Sequence, residues 1–373
     1  ETFQSRYTCL HSFKLDLVLL TLHRGDQALH IPQPLVKTSA LHNPCVPEQG
    51  WPAERRSFTR KQLDEISAIK QRHARTCLNP SASLRVNPSQ SSCHDLLLTE
   101  TLPGLVSILI PFRDRVELTK TCVHSLQANA SDSVPFEIIL IDNGSEEDCT
   151  KAWIQEITQS TNIHCLRIDE PFNFSRLNNL ARKVCKGDHL LFLNNDVEFL
   201  SPNVINQLLD PFAHPGTTAV GSRLLYPDRS IQHQGVVIIK GERRCVLEPG
   251  KHLHQPEVID GLIPLKVQEE FSAASAACLL VKADRFDAIG GFNEELAVVF
   301  NDVDLCLRLR EAGGHIVVTP HPTIIHHESV SRGKDLEGKA WARHQRESGL
   351  LRKNHAALYA HGDPLTSPHL HHH

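Results

Sequence analysis

The sequence predicts an α/β protein: a Rossmann-like, mostly parallel central sheet flanked by helices, with an N-terminal appendage. Three observations predict it. From Leu105 onward, short apolar runs of strand length alternate with segments of helical apolar spacing, the order expected of right-handed crossover units. Two of the apolar runs, ending at Asp142 and at Asn194-Asn195-Asp196, break off into carboxylates and amides, and open α/β sheets bind ligands at such carboxyl ends. The 373 residues are enough for a large core with further segments attached.

In chain order, residues 1–40 contain Asp16-Leu17-Val18-Leu19-Leu20, then Gly25, Pro32 and Pro34. Asp304-Leu305-Cys306-Leu307 is followed at the same offsets by Gly313, Pro320 and Pro322. The repeated spacing reads as the tail of a preceding, related domain. Residues 41–104 shift to Pro, Ser and charge, as in a linker, interrupted by one helix over Arg60 to Arg75 behind an N-cap at Thr59.

Val106–Pro111 reads as a buried strand, and Glu117 to Ala128 as a helix. Phe136–Asp142 is a second strand closed by the turn Asn143-Gly144-Ser145, and a helix around Trp153 precedes a third strand near His164 to Ile168. A helix from Ser175 to Cys185 leads to the strand Leu190–Leu193. Beyond Gly221 come a hairpin over Tyr226–Gly235, a polar loop from Lys240 to Gln268, a small-residue approach to a strand at Ala273–Val281, and a turn at Gly290–Glu294. A helix follows Asp304, with that carboxylate as its cap. Ile324-Ile325 is a strand, Ser331–Lys334 a loop, and Gly338–Asn354 the last helix. The main domain spans 105–368, and 369–373 reads as a purification tag.

Composition narrows the function. A formal net charge of -4 gives no reason to expect nucleic acid or an anionic membrane as partner. No apolar stretch reaches the about 18 residues of a membrane span, so a soluble, cytoplasmic protein is expected. The 11 cysteines contain no CxxC pair and several sit inside apolar runs, as buried thiols do in a reducing compartment.

Leu190–Glu198 is the stretch on which the chemistry turns. A carboxylate at the end of a buried strand can hold a divalent cation against a diphosphate, because hard cations take oxygen ligands and share their shell with phosphate. The same Asn and Asp residues would also serve as a polar turn, and on the residues alone both readings stand.

Four motifs occur in order: Ile-Leu-Ile-Pro-Phe-Arg-Asp at 108–114, Ile-Asp-Asn-Gly-Ser at 141–145, Phe-Leu-Asn-Asn-Asp at 192–196 and Asn-Asp-Val-Asp-Leu-Cys-Leu-Arg at 301–308. Together they resemble the family 2 glycosyltransferases, with the A-type nucleotide-sugar-binding fold. The resemblance runs from about Leu105 to Leu370 and implies a bacterial surface-polysaccharide or rhamnosyltransferase-like enzyme.

The resemblance implies roles for particular residues. Pro111, Phe112, Arg113 and Asp142 would contact base and ribose. Asn173 and Arg176 would meet the diphosphate or sugar, with Ser175 as an alternative helix cap. Asn194, Asn195 and Asp196 stand where the family has Asp-x-Asp, so Asp196 would hold Mg2+ or Mn2+, and Asn194 departs from the pattern. Asp302, in the place of the catalytic carboxylate of Glu-Asp-x-Asp, would be the general base of an inverting transfer, beside Asn301 in place of an acid. A histidine of the pair His326-His327 would complete the metal or diphosphate site; adjacent residues on an extended chain point opposite ways, and His327 is taken as the ligand. Arg332 would close over phosphate. The donor would be a UDP- or dTDP-sugar and the acceptor a glycan or lipid-linked glycan, at the inner face of the cell membrane if the acceptor is membrane-held. The alternatives are an inactive carbohydrate- or nucleotide-sugar-binding domain, motivated by the two Asn replacements, and a nucleotidyltransferase.

Overall fold

The computed structural model describes residues 104–239, 246–248, 268–327 and 338–365. The repeat in residues 1–40, the linker helix, Arg332, Lys334 and the tag lie outside the described residues.

The first half follows the expected alternation. β1 (Val106–Phe112), β2 (Phe136–Asp142), β3 (Ile163–Arg167) and β4 (His189–Leu193) are joined by α1 (Val116–Asn129), α2 (Asp148–Ile157) and α3 (Phe174–Arg182). β1 pairs in parallel with β2 and β4, and β2 with β3. Successive side chains of these strands face opposite sides, so Leu109, Ile139 and Phe192 feed one core, while Ile108, Ile110, Leu140 and Leu191 feed the other. Burial on both sides is why β1, β2 and β4 are near-continuous apolar runs, whereas β3, at the sheet edge, exposes His164 and Arg167.

At the amino-terminal edge, Ser107 Oγ donates to Glu137 Oε1 at 2.6 Å, and Gly187 N donates to Ser107 Oγ at 2.8 Å. A Cβ on Gly187 would lie 2.5 Å from Ser107 N, so the approach to β4 requires glycine.

The second half turns the sheet mixed. β5 (Val197–Phe199) leaves the sheet edge, α4 (Val204–Leu209) packs beneath, and β6 (Thr217–Ser222) returns. β7 (Leu224–Leu225), β8 (Ile231–His233), β9 (Val237–Ile238) and β10 (Val246–Leu247) are short, and β11 (Glu269–Phe271) and β12 (Cys278–Lys282) follow. α5 (Ala283–Ala288), α6 (Asn301–Glu311), β13 (His315–Thr319), β14 (Ile324–His326), α7 (Gly338–Asn354) and α8 (Ala356–His361) complete the described chain. Among the described residues the main sheet has the order β11-β13-β6-β12-β4-β1-β2-β3, with β12 antiparallel to both β4 and β6. A second, smaller sheet of order β5-β14-β7-β8 stands at the carboxyl edge of β4.

α6 begins at Asn301 rather than at Asp304, with Phe300 as N-cap in a left-handed conformation, φ 60°. Asp302 and Asp304 therefore both lie in its first turn, where carboxylates are favoured by the helix dipole. Asp304 does not cap the helix. It is buried and accepts from Arg308 Nε at 2.7 Å, and its other oxygen lies 3.0 Å from His355 Nε2, tying α6 to the α7–α8 corner. His355 Nδ1 lies 2.9 Å from Glu311 Oε1.

Burial disfavours the charged form of His355, but its hydrogen bonds with Asp304 and Glu311 outweigh this and lift its pKa above the ordinary 6.5. Burial also opposes ionisation of Asp304, and His355 and Arg308 nonetheless bring its carboxyl below 3.8. A raised histidine stabilises fully below its unfolded pKa and loses that stability as pH rises through the folded value. A lowered carboxylate stabilises above its unfolded pKa and loses it as pH falls through the folded one. The network is thus fully favourable from about pH 4 to about pH 6.5. Urea midpoints are expected to fall between about pH 6 and about pH 9, and to fall less in His355→Gln.

The described cysteines are free thiols. Cys278 and Cys306 are fully buried, and burial pushes each up to about 12, as expected of unreactive core thiols.

Candidate active site

Asp142 ends β2 and is 2% exposed. Its Oδ1 accepts from Ser145 N at 2.8 Å, and its Oδ2 from Arg167 Nη1 at 2.9 Å. Arg167, at the end of β3, also donates to Ser145 O and, through Nε, to Asp169 Oδ2. Sequence reasoning passed over Arg167; the signal it offered was a basic residue at the carboxyl end of a strand adjacent to β2.

Pro111 is buried within β1, and the Phe112 ring is 4% exposed, edge-on to Trp153 with centroids 6.3 Å apart. Phe112 thus brings its backbone, not its ring, to the edge. Arg113 is exposed and pairs with Glu146 at 3.2 Å. Asp114 and Arg115 follow with φ of 49° and 48°, a strained turn secured by Asp114 Oδ1, which accepts from Glu146 N and Glu147 N.

Asn173 and Arg176 come together, but each is engaged within the fold. Asn173 is the N-cap of α3: its Oδ1 accepts from Arg176 N at 3.0 Å and its Nδ2 donates to Glu294 O at 2.8 Å. Arg176 is held by Glu170 and, at 3.3 Å, by Glu294, so its charge is already matched. The cap expected of Ser175 falls to Asn173, and Ser175 Oγ donates to Leu296 O instead.

The turn after β4 sends its three polar residues two ways, Asn194 and Asp196 to His326 and Asn195 to α1. Asn195 Nδ2 donates to Thr119 Oγ1 of α1 at 3.1 Å, facing away from the edge. Asn194 Nδ2 lies 3.3 Å from His326 Nε2. Asp196, 5% exposed, has Oδ1 3.1 Å from the same His326 Nε2. His327 instead sets Nε2 3.1 Å from Glu198 Oε2, both side chains about a third exposed at 31% and 33%. The register of β14 on β5, His326 opposite Val197 and Ile325 opposite Glu198, makes this choice. His326, not His327, faces Asp196.

Asp196 and His326 thus bring a carboxylate oxygen and an imidazole nitrogen, both donor types that a divalent cation takes, to one point 3.1 Å apart; among the described residues no group of three or more His, Cys, Asp or Glu side chains is placed to hold a metal ion.

Asp302 is half-buried in the first turn of α6, its Oδ2 accepting from Ala276 N at 3.0 Å and its Oδ1 from Val303 N at 2.8 Å. Burial lifts its carboxyl above the ordinary value of 3.8, against the lowering by these two amides. A raised carboxylate is a better proton acceptor.

Three successive residues connect Asp302 to the Asp196 side. Ala277 O accepts from Asn194 N at 3.1 Å, Ala276 N holds Asp302, and Ser275 N donates to His233 Nε2 at 3.1 Å. His233 Nε2 also accepts from Gly235 N at 3.2 Å, which leaves the proton on Nδ1, 3.4 Å from Glu248 Oε1. Gly235, φ 95°, is irreplaceable here because a Cβ would lie 2.3 Å from the Phe271 ring. The roles of Gln232, His233 and the Ser275–Ala277 turn were not legible in advance, although two polar residues amid the apolar positions of a hairpin were a usable signal.

From α7, Glu347 is fully buried and its Oε2 accepts from Val298 N and Val299 N, at 3.2 and 2.8 Å, holding the loop that enters α6. Glu347→Ala leaves these amides without their acceptor and is expected to cost about 1–3 kcal/mol in urea unfolding.

The large sheet flanked by helices, with Asp142, the Asp196–His326 pair and Asp302 toward the carboxyl ends of its parallel strands, has the A-type glycosyltransferase fold. Residues 107–248 match the model of "Glycosyl transferase family 2", and the chain carries a domain of that family. It is 38% identical over 305 residues to the uncharacterized protein y4gI of Sinorhizobium fredii, covering 81% of this chain and 33% of that protein. It is 33% identical over 267 residues to the O-antigen biosynthesis protein RfbC of Myxococcus xanthus, covering 71% of this chain and 20% of that one. The chain thus spans a third or less of these two relatives. An N-acetylglucosaminyl-diphospho-decaprenol L-rhamnosyltransferase of Mycobacterium tuberculosis is 26% identical over 246 residues, 60% of this chain and 77% of the relative. Among solved structures, GalNAc-T7 with UDP, GalNAc and Mn2+ superposes with a TM-score of 0.55 at 14% identity, over 68% of this chain and 48% of that one, a likeness of fold. Among the described residues no helix is long and apolar enough to cross a membrane.

Proposed function

We propose that the protein is an inverting, metal-assisted glycosyltransferase that moves a sugar from a nucleoside-diphosphate sugar to a hydroxyl of a glycan or lipid-linked glycan in bacterial surface-polysaccharide assembly. The observation that carries the reading is the Ser275–Ala277 turn, which binds Asn194 of the Asp196 turn on one side and Asp302 on the other. Leaving-group and acceptor chemistry are thereby held in one frame.

Asp142, buried and oriented by Arg167 and Ser145, receives the nucleoside; Pro111, the Phe112 backbone and Arg113 border it. Asp196 and His326 would hold Mg2+ or Mn2+, which when bound would neutralise the charge that develops on the departing diphosphate. Asp302 takes the proton of the acceptor hydroxyl as it attacks the anomeric carbon from the face opposite the diphosphate. Its raised pKa favours that role, and the Ala276 amide fixes its orientation. The donor is a UDP- or dTDP-sugar, rhamnose-type in view of the relatives.

The test is release of nucleoside diphosphate from a panel of UDP- and dTDP-sugars, with Mn2+, with Mg2+ and with chelator. Cation-dependent release from one or more donors is expected. Donor binding without turnover across the panel would instead favour a carbohydrate- or nucleotide-sugar-binding domain, as Asn194 and Asn301 suggest.

A further inference from the structure

Gln232, on β8 and 3% exposed, reaches across to the backbone and ring of His326. Its Nε2 donates to the His326 carbonyl oxygen at 3.2 Å, so its amide oxygen is the atom turned to His326 Nδ1, 2.6 Å away. An amide oxygen only accepts, and the proton therefore lies on Nδ1. The Asn194 contact on the opposite side of the ring is consistent with this tautomer. Asn194 Nδ2 can only donate, and it faces Nε2 at 3.3 Å, so Nε2 is the acceptor. In the neutral ring the Nε2 lone pair thus lies 3.1 Å from an oxygen of Asp196. Two lone pairs at that distance repel unless a proton or a metal ion lies between them.

We infer that Gln232 is the positioning residue of the cation site: it fixes His326 as the Nδ1–H tautomer and presents Nε2 to the same ion as Asp196. The inference rests on the proposed reading of Asp196 and His326 as ligands. Hydrogen bonds to the far nitrogen of a ligating imidazole set its tautomer and orientation, and losing one costs about 10–100-fold in metal affinity. With leucine at 232 the Nδ1 proton has no acceptor there. It is free to move to Nε2, where it would donate to Asp196 and occupy both ligands at once. Gln232→Glu keeps an acceptor for Nδ1–H but gives up the donor to the His326 carbonyl, so a merely structural tie between β8 and β14 would be lost in both variants.

The test uses Mn2+ alone, titrated into the whole protein and followed by electron paramagnetic resonance of the free ion. Two-bond proton–nitrogen correlation spectra of the metal-free protein read the imidazole tautomers, and His326 is assigned by its loss in His326→Asn. Expected are an Nδ1–H pattern and Mn2+ binding in wild type, binding about 10–100-fold weaker with a shift to Nε2–H in Gln232→Leu, and near-wild-type binding in Gln232→Glu. Gln232→Met serves if the leucine variant fails to fold. Wild-type binding and tautomer retained in Gln232→Leu or Gln232→Met would overturn the inference, as would an Nε2–H wild type. A wild type that shows the Gln232-dependent tautomer but binds no Mn2+ would overturn the ligand reading itself.

Discussion

Asp302→Asn is expected to lower the turnover rate by about 10²–10⁴-fold while leaving donor affinity close to that of the wild type. Each tenfold corresponds to about 1.4 kcal/mol of transition-state stabilisation, so the loss is about 3–5.5 kcal/mol. The substitution is isosteric. The asparagine oxygen can still accept from Ala276 N, so the turn that joins the base to Asn194 remains in place. What disappears is the carboxylate that burial has made more basic. The check is steady-state release of nucleoside diphosphate alongside donor binding by calorimetry. Unchanged turnover would remove Asp302 from the base role whatever the donor proves to be.

The second large effect separates two adjacent histidines. His326→Ala removes a nitrogen 3.1 Å from Asp196 Oδ1 and is expected to weaken Mn2+ binding by about 100-fold or more, since even outer partners of such ligands are worth 10–100-fold. His327→Ala removes only a partly exposed partner of Glu198, and exposed pairs of this kind contribute about 0–1 kcal/mol. Mn2+ titrations of the two variants should therefore differ by well over an order of magnitude. Equal losses, or a larger loss from His327→Ala, would return the ligand role to His327.

The contrast between these histidines shows where sequence reading ran out. Strands β1, β2 and β4 were legible because burial on both faces makes them near-continuous apolar runs bounded by polar turns. Asp142 and Asp196 could be singled out because each ends an apolar run, and Asp302 only through the resemblance of residues 301–308 to a family motif. Choosing between His326 and His327 needs the register of β14 on β5, a pairing between segments about 130 residues apart that no local pattern encodes. Arg176 looked like an open cation because Glu294, one of its two carboxylates, lies 118 residues away. Asp304 looked like a cap because its partner His355 belongs to the last helical corner. Gln232 and His233 were hidden for a related reason: polar residues in a hairpin are ordinarily solvated, and only the packed fold buries them against His326 and Ser275.

Stereochemistry tests the central claim most directly, and it needs no knowledge of the natural acceptor. With water in the acceptor's place, the anomer of the sugar first released from the donor is followed by proton magnetic resonance before it equilibrates. A single base at Asp302 acting opposite a cation-held diphosphate predicts that the first-formed anomer has the configuration opposite to that of the donor. A first-formed anomer of unchanged configuration would contradict the account, because it requires a second displacement for which Asp302 is not the base.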